Sequence, residues 1–105
     1  MKVKIYAKEY NFEFESVFGP LYTYEEVAGD KLPFNPQKSL CLHVLFWCIL
    51  LRANDNFTLG LEEFMKALND LELVRSMNDY YVQRMAVLTS TAETVDADPD
   101  DKKKV

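Results

Sequence analysis

"LCLHVLFWCILL", residues 40–51, is the run whose reading decides the fold class of this chain. As a membrane span it would make the protein integral to a bilayer. As a helix wrapped on all sides it would form the centre of a globular domain. Length settles the choice: a spanning helix needs roughly 20 apolar residues, and this run has twelve, with His43 inside it and Arg52 directly after. A helix apolar on nearly every face is covered by its neighbours. One of its stripes is Leu40, Val44, Trp47 and Leu51, another is Leu42, Leu45 and Ile49, and Trp47 is expected near the centre of the domain.

Working outward, Asn35-Pro36 spells an N-cap followed by a first-turn proline, so this helix is expected to start there and to run to about Ala53. Upstream, "LYTYEEVA" lies between Pro20, which suits a first helical turn, and Gly29, which suits a helix end, and predicts a short helix. At the N-terminus, Val3 and Ile5 alternate with Lys2, Lys4 and Tyr6. Tyr10, Phe12 and Phe14 then alternate with Asn11, Glu13 and Glu15. Two runs of period two joined by a short polar "KE" predict a β-hairpin. Downstream, Thr58 is the expected N-cap of a helix with Leu61, Phe64, Met65 and Leu68 on one face. After a polar break at Asn69-Asp70 a fourth helix follows, with Leu71, Val74, Met77 or Asn78, Tyr81, Met85 and Leu88 as its stripe. The expected fold is α+β: an N-terminal two-stranded hairpin packed on a bundle of about four helices. Residues 1–88 form the single domain, and residues 89–105, poor in apolar side chains and holding Pro99, form a disordered tail.

The bulk numbers agree with one globular domain. The chain has 105 residues, 49% hydrophobic and 13% aromatic, enough for a core without staples. Cys41 and Cys48, the only cysteines, are seven apart. On a helix that is roughly 10 Å, too far for a disulfide. Buried reduced thiols are expected, which suits a cytoplasmic setting. The net charge is −5, and neither the first 88 residues nor the tail is basic. Nucleic acid is therefore not an expected partner, and neither is a membrane; another protein is.

Chemistry is scarce. "NDNFTLGLEEF", residues 54–64, imitates a calcium loop, yet no register supplies oxygen ligands at positions 1, 3 and 5 together with a carboxylate at 12. Asn54-Asp55-Asn56 reads as a turn instead, and no metal or cofactor is expected. His43 is the single imidazole, two residues from Cys41 and five from Cys48, spacings that point away from each on a helix. Glycines at 19, 29 and 60 cannot form a phosphate loop. The chain is expected to be a non-enzyme. Six Tyr and seven Phe suggest instead an interaction surface. The candidates are Tyr6, off the core face of its strand, with Tyr80 and, within a helical turn of it on either side, Met77 and Arg84.

In order, "KIYAKEYNFEF", "LYTYEEVAGDKL", "LHVLFWCILLRAN" and "FTLGLEEFMKALND", followed by an amphipathic helix and an acidic tail, resemble the tail assembly chaperones of long-tailed bacteriophages and prophages. The resemblance spans about residues 2–88 and rests on patterns of apolar positions. Phe46-Trp47, where small residues are common, and Gly19-Pro20 depart from it. It implies a non-catalytic protein of the bacterial cytoplasm, absent from the mature virion. Its partners would be the tape measure protein and the tail tube protein, with self-association along the client. It also suggests a use for Lys102-Lys103-Lys104: their A-rich codons suit a slippery site, from which a frameshift would produce a longer form. The alternative is a small regulatory binding module, antitoxin-like or anti-repressor, whose acidic tail occupies a basic partner.

Overall fold

A computed structural model describes the backbone of residues 1–97 and the side chains of residues 1–90. Two strands, β1 (Lys2–Ile5) and β2 (Lys8–Asn11), precede four helices: α1 (Phe18–Ala28), α2 (Ser39–Ala53), α3 (Leu61–Ala67) and α4 (Leu71–Ala97). The fold is α+β, a hairpin set against helices, as the two periodicities predict.

The hairpin is antiparallel, with Val3 opposite Tyr10 and Ile5 opposite Lys8. That register places the turn at Tyr6-Ala7, two residues before the expected "KE". Both turn residues have positive φ, 51° and 67°, which a two-residue turn needs to match the twist of its strands. Neither is the Gly, Asn or Asp that marks such turns, so the sequence carries no local sign of it. The left-handed conformation costs an L-residue roughly 1–2 kcal/mol, while glycine gives back about 0.5–1 kcal/mol in unfolded-state entropy. Ala7→Gly should therefore raise stability by about 0.5–1 kcal/mol, read from the urea midpoint. A loss of stability would show that Ala7 is not left-handed.

Val3, Ile5, Tyr10, Phe12 and Phe14 all face inward and are buried, as their alternation predicts. They meet α2, whose fully covered side chains are Cys41, Val44, Leu45, Phe46, Cys48, Ile49 and Leu50. The centre is Phe46 rather than Trp47. Phe46 is 1% exposed and takes Phe12 edge-on at 5.4 Å. Trp47 is half-buried, and its indole Nε1 donates to the Leu59 carbonyl at 2.9 Å. A side chain with a donor at its tip settles at an edge, where a carbonyl can be reached.

Two helix starts, those of α2 and α3, differ from the expected ones, while α1 keeps Pro20 in its first turn. Asn35-Pro36 forms a separate turn, in which Asn35 Oδ1 accepts from Gln37 N and the Asn35 carbonyl from Lys38 N; α2 begins beyond it, at Ser39. Thr58 caps nothing, because the extended Gly60 precedes α3. Ahead of α1, Ser16 Oγ accepts from Phe18 N and Gly19 N, each at 3.2 Å. The break at Asn69-Asp70 stands, with Asp70 Oδ1 accepting from Glu72 N and Leu73 N. α4 continues past Leu88 to Ala97. The rest of the expected tail, residues 98–105 with its three lysines, lies outside the described residues. Among the described residues no helix is long and apolar enough to cross a membrane.

Among the described residues one amide side chain lies inside the core. Asn54, 8% exposed, follows α2 and closes on β2: its Oδ1 accepts from Asn11 N at 2.9 Å and its Nδ2 donates to Asn11 O at 2.8 Å. Nδ2 also reaches the Leu50 carbonyl at 3.0 Å. One amide thus satisfies both backbone groups of the last residue of β2 and a carbonyl of the last turn of α2.

Candidate protein-binding surface

The four residues selected on sequence do not form one surface. Tyr6 is 60% exposed at the hairpin turn, its hydroxyl donating to the Glu63 carbonyl of α3 at 3.3 Å. Met77 is 0% exposed and belongs to the core, a correction: it sits at the centre of the inward stripe of α4. Tyr80 packs its ring edge-on against Phe12 at 5.6 Å and Phe14 at 6.2 Å. Arg84 Nε donates to the Phe14 carbonyl at 2.9 Å. Tyr80 and Arg84 thus hold the hairpin to α4, and only Tyr6 stands open.

An exposed pair of stacked aromatics lies on α1. Phe18 and Tyr22 are each 63% exposed and stack on one another, centroids 6.3 Å apart and planes 23° from parallel. Positions four apart on a helix lie one above the other, so the pair forms a continuous aromatic ridge. α1 presents it because its other side is fixed. Gly19, Pro20 and Tyr24 are buried, and the Tyr24 hydroxyl donates to the Leu32 carbonyl at 2.6 Å. Across Gly19 lies Arg52 of α2, so close that a β-carbon there would stand 2.9 Å from the guanidinium. Arg52 Nη1 donates to Thr23 Oγ1 at 3.2 Å.

Beside the ridge is an apolar cleft of about 170 Å³ between α1, α2, α4 and the segment before α2. Its walls include Val17, Leu21, Phe34, Tyr81 and Met85, all half-buried. On the opposite flank a more polar hollow of about 310 Å³ contains Glu13, Glu15, Ser16 and Arg52. The apolar density of "VFGPLYTY" was the available signal for this face. The pattern leaves open which of those side chains point outward, because Tyr24 is buried while Tyr22 is exposed.

The groups considered for chemistry are placed unfavourably for it. Cys41 and Cys48 are free thiols, both fully buried. Burial pushes the Cys48 thiol up to about 12, with Arg52 opposing only in part. A neutral, covered thiol is a poor nucleophile. His43 lies beside Phe46, ring centroids 6.0 Å apart, and burial lowers its pKa. Among the described residues no group of three or more His, Cys, Asp and Glu side chains is placed to hold a metal ion.

The Cys48 shift has a sign that can be tested. The folded thiol keeps its proton to about 12, whereas the unfolded one loses it near 9.0. The stability it contributes is complete below pH 9 and is lost as pH rises from there towards 12. The urea midpoint should therefore fall between pH 8 and pH 10, and fall less steeply in Cys48→Ala. Equal slopes would mean that the thiol is not held neutral by the fold.

Comparisons with protein families, with curated proteins and with solved structures each find no match for this chain.

Proposed function

We propose that this protein is a non-enzymatic tail assembly chaperone of a long-tailed bacteriophage or prophage. It would act in the bacterial cytoplasm, bind the tape measure protein, assist the tail tube protein in assembling around it, and be absent from the mature virion. The observation that carries the reading is the stacked ridge of Phe18 and Tyr22 left open on an acidic domain. An exposed aromatic patch beside an apolar cleft is what a partner surface requires. The order of elements on which the resemblance rests is also the order in the fold: a hairpin, a short helix ending near an acidic pair, an apolar helix, a short helix and a long amphipathic one. Self-association would let successive copies cover an extended client.

The experiment is co-expression with a tape measure protein. The client should stay in the soluble fraction with this chain and precipitate without it, and Phe18→Ala with Tyr22→Ala should lose that effect while keeping the native helical circular dichroism. A client equally insoluble with and without the chain would refute the chaperone reading. A gene beside a toxin or a repressor, instead of between tail tube and tape measure genes, would favour the regulatory alternative.

A further inference from the structure

Three properties of the α1 face together specify its occupant. The cleft of about 170 Å³ is close to the roughly 150 Å³ of an apolar cavity that holds one benzene-sized group, so it accepts one large apolar side chain. The Phe18–Tyr22 ridge adjoins it, because Phe18 and Leu21 are helical neighbours three apart and Leu21 is a wall of the cleft. A second apolar group can therefore lie on the ridge while the first enters the cleft. The third property is charge. Residues 9–30 contain Glu9, Glu13, Glu15, Glu25, Glu26 and Asp30 with no Lys or Arg among them. All six acids are exposed. Of the cations lying against this segment, Arg52 is turned onto Thr23 on the far flank of α1, Arg84 onto the Phe14 carbonyl, and the Met1 ammonium stands 4.0 Å from Glu13, which leaves Glu25 and Glu26 facing solvent.

The shape of the occupant follows from the site, because α1 is a helix that offers side chains and no sheet edge. An extended strand would add to a free sheet edge, yet on β2 both backbone groups of Asn11 are already held by Asn54. A helix needs no such edge and docks by side chains alone.

We propose that the α1 face is the docking site for an amphipathic helix of another protein, its apolar stripe flanked by Lys and Arg. One apolar side chain enters the cleft, a neighbour rests on Phe18 and Tyr22, and the flanking cations meet Glu25 and Glu26. The buried anchor sets affinity and the acids set orientation and salt dependence. The inference rests on reading the chain as a protein-binding module and adds the chemistry of the partner.

The probe is a fluorescein-labelled helical peptide of about 18 residues, with a leucine stripe and lysine flanks, titrated with the full chain by anisotropy. Its comparators are a glutamine-flanked peptide of the same leucine spacing and a scrambled leucine–lysine peptide. The lysine-flanked helix should bind one to one. Phe18→Ala with Tyr22→Ala should weaken it at least about tenfold. Glu25→Gln with Glu26→Gln should weaken it less and flatten its salt dependence, and the exposed Val82→Ala on α4 should change nothing. Equal binding of the glutamine-flanked peptide would overturn the basic flank while leaving a protein-binding face in place. Equal binding of the scrambled peptide, or indifference to loss of the ridge, would overturn the docking site itself. So would a dimer of this chain dispersed by Phe18→Ala with Tyr22→Ala, which would assign the face to a second copy. The outcome of co-expression with a tape measure protein is separate, so the chaperone reading can fail while this inference stands.

Discussion

Asn54→Ala should destabilise the fold by about 2–3 kcal/mol, a large share of a total stability that is about 5–15 kcal/mol for a domain. The side chain makes three hydrogen bonds, at 2.8, 2.9 and 3.0 Å, within a site that water barely reaches. Removing it leaves the Asn11 N–H and carbonyl and the Leu50 carbonyl to find other partners. Asn54→Asp is the more pointed variant, because a carboxylate keeps the acceptor for Asn11 N and loses the donor to two carbonyls. At neutral pH the charge faces the Asn11 and Leu50 oxygens, which raises its pKa above the usual value in the folded state. Stability from a raised carboxyl is present below its unfolded pKa and is lost as pH rises through the folded one. The deficit of Asn54→Asp relative to the native protein should therefore narrow on going from pH 7 to about pH 3.5, measured by urea unfolding at both. A deficit independent of pH would mean that the side chain does not face those carbonyls.

Phe12→Ala should cost about 3–5 kcal/mol, the largest effect of any single substitution considered. Phe12 is 0% exposed and joins three elements, its ring against Phe46 of α2 and Tyr80 of α4 while its own backbone continues the hairpin. Its N–H donates to the Met1 carbonyl at 2.7 Å. Trp47→Ala should cost less, because the half-buried Trp47 loses one hydrogen bond to Leu59 and part of its packing. Denaturant midpoints of the two variants compare the centres directly. A larger loss at Trp47 than at Phe12 would return the centre of the domain to the indole.

The periodic part of the fold was legible in the sequence and the non-periodic part was not. Val3, Ile5, Tyr10, Phe12 and Phe14 announce their buried face by alternation alone, and α2 is recognisable from its length and its density of apolar residues. The turn was misplaced because Tyr6-Ala7 adopts a left-handed conformation without residues that favour it. Asn35-Pro36 has the spelling of a helix start, but Asn35 spends its side chain and carbonyl on a local turn. The function of Asn54 depends on Asn11, 43 residues away, and no local pattern contains that distance.

The surface was harder still. Tyr80 and Arg84 look like interface residues by type, yet the hairpin occupies both, through Phe12 and Phe14. Which aromatics of an aromatic-rich chain remain open depends on how the elements pack. Phe18 and Tyr22 are open because Pro20 and Tyr24, on the same helix, take the inward face.

Backbone amide hydrogen exchange of this chain, alone and bound to a co-purified tape measure protein, tests the central claim most directly. The account predicts slowed exchange across residues 17–34 and around residues 81–85, where the ridge and the cleft lie. Protection confined to the hairpin turn at Tyr6, or no change along α1, would contradict it.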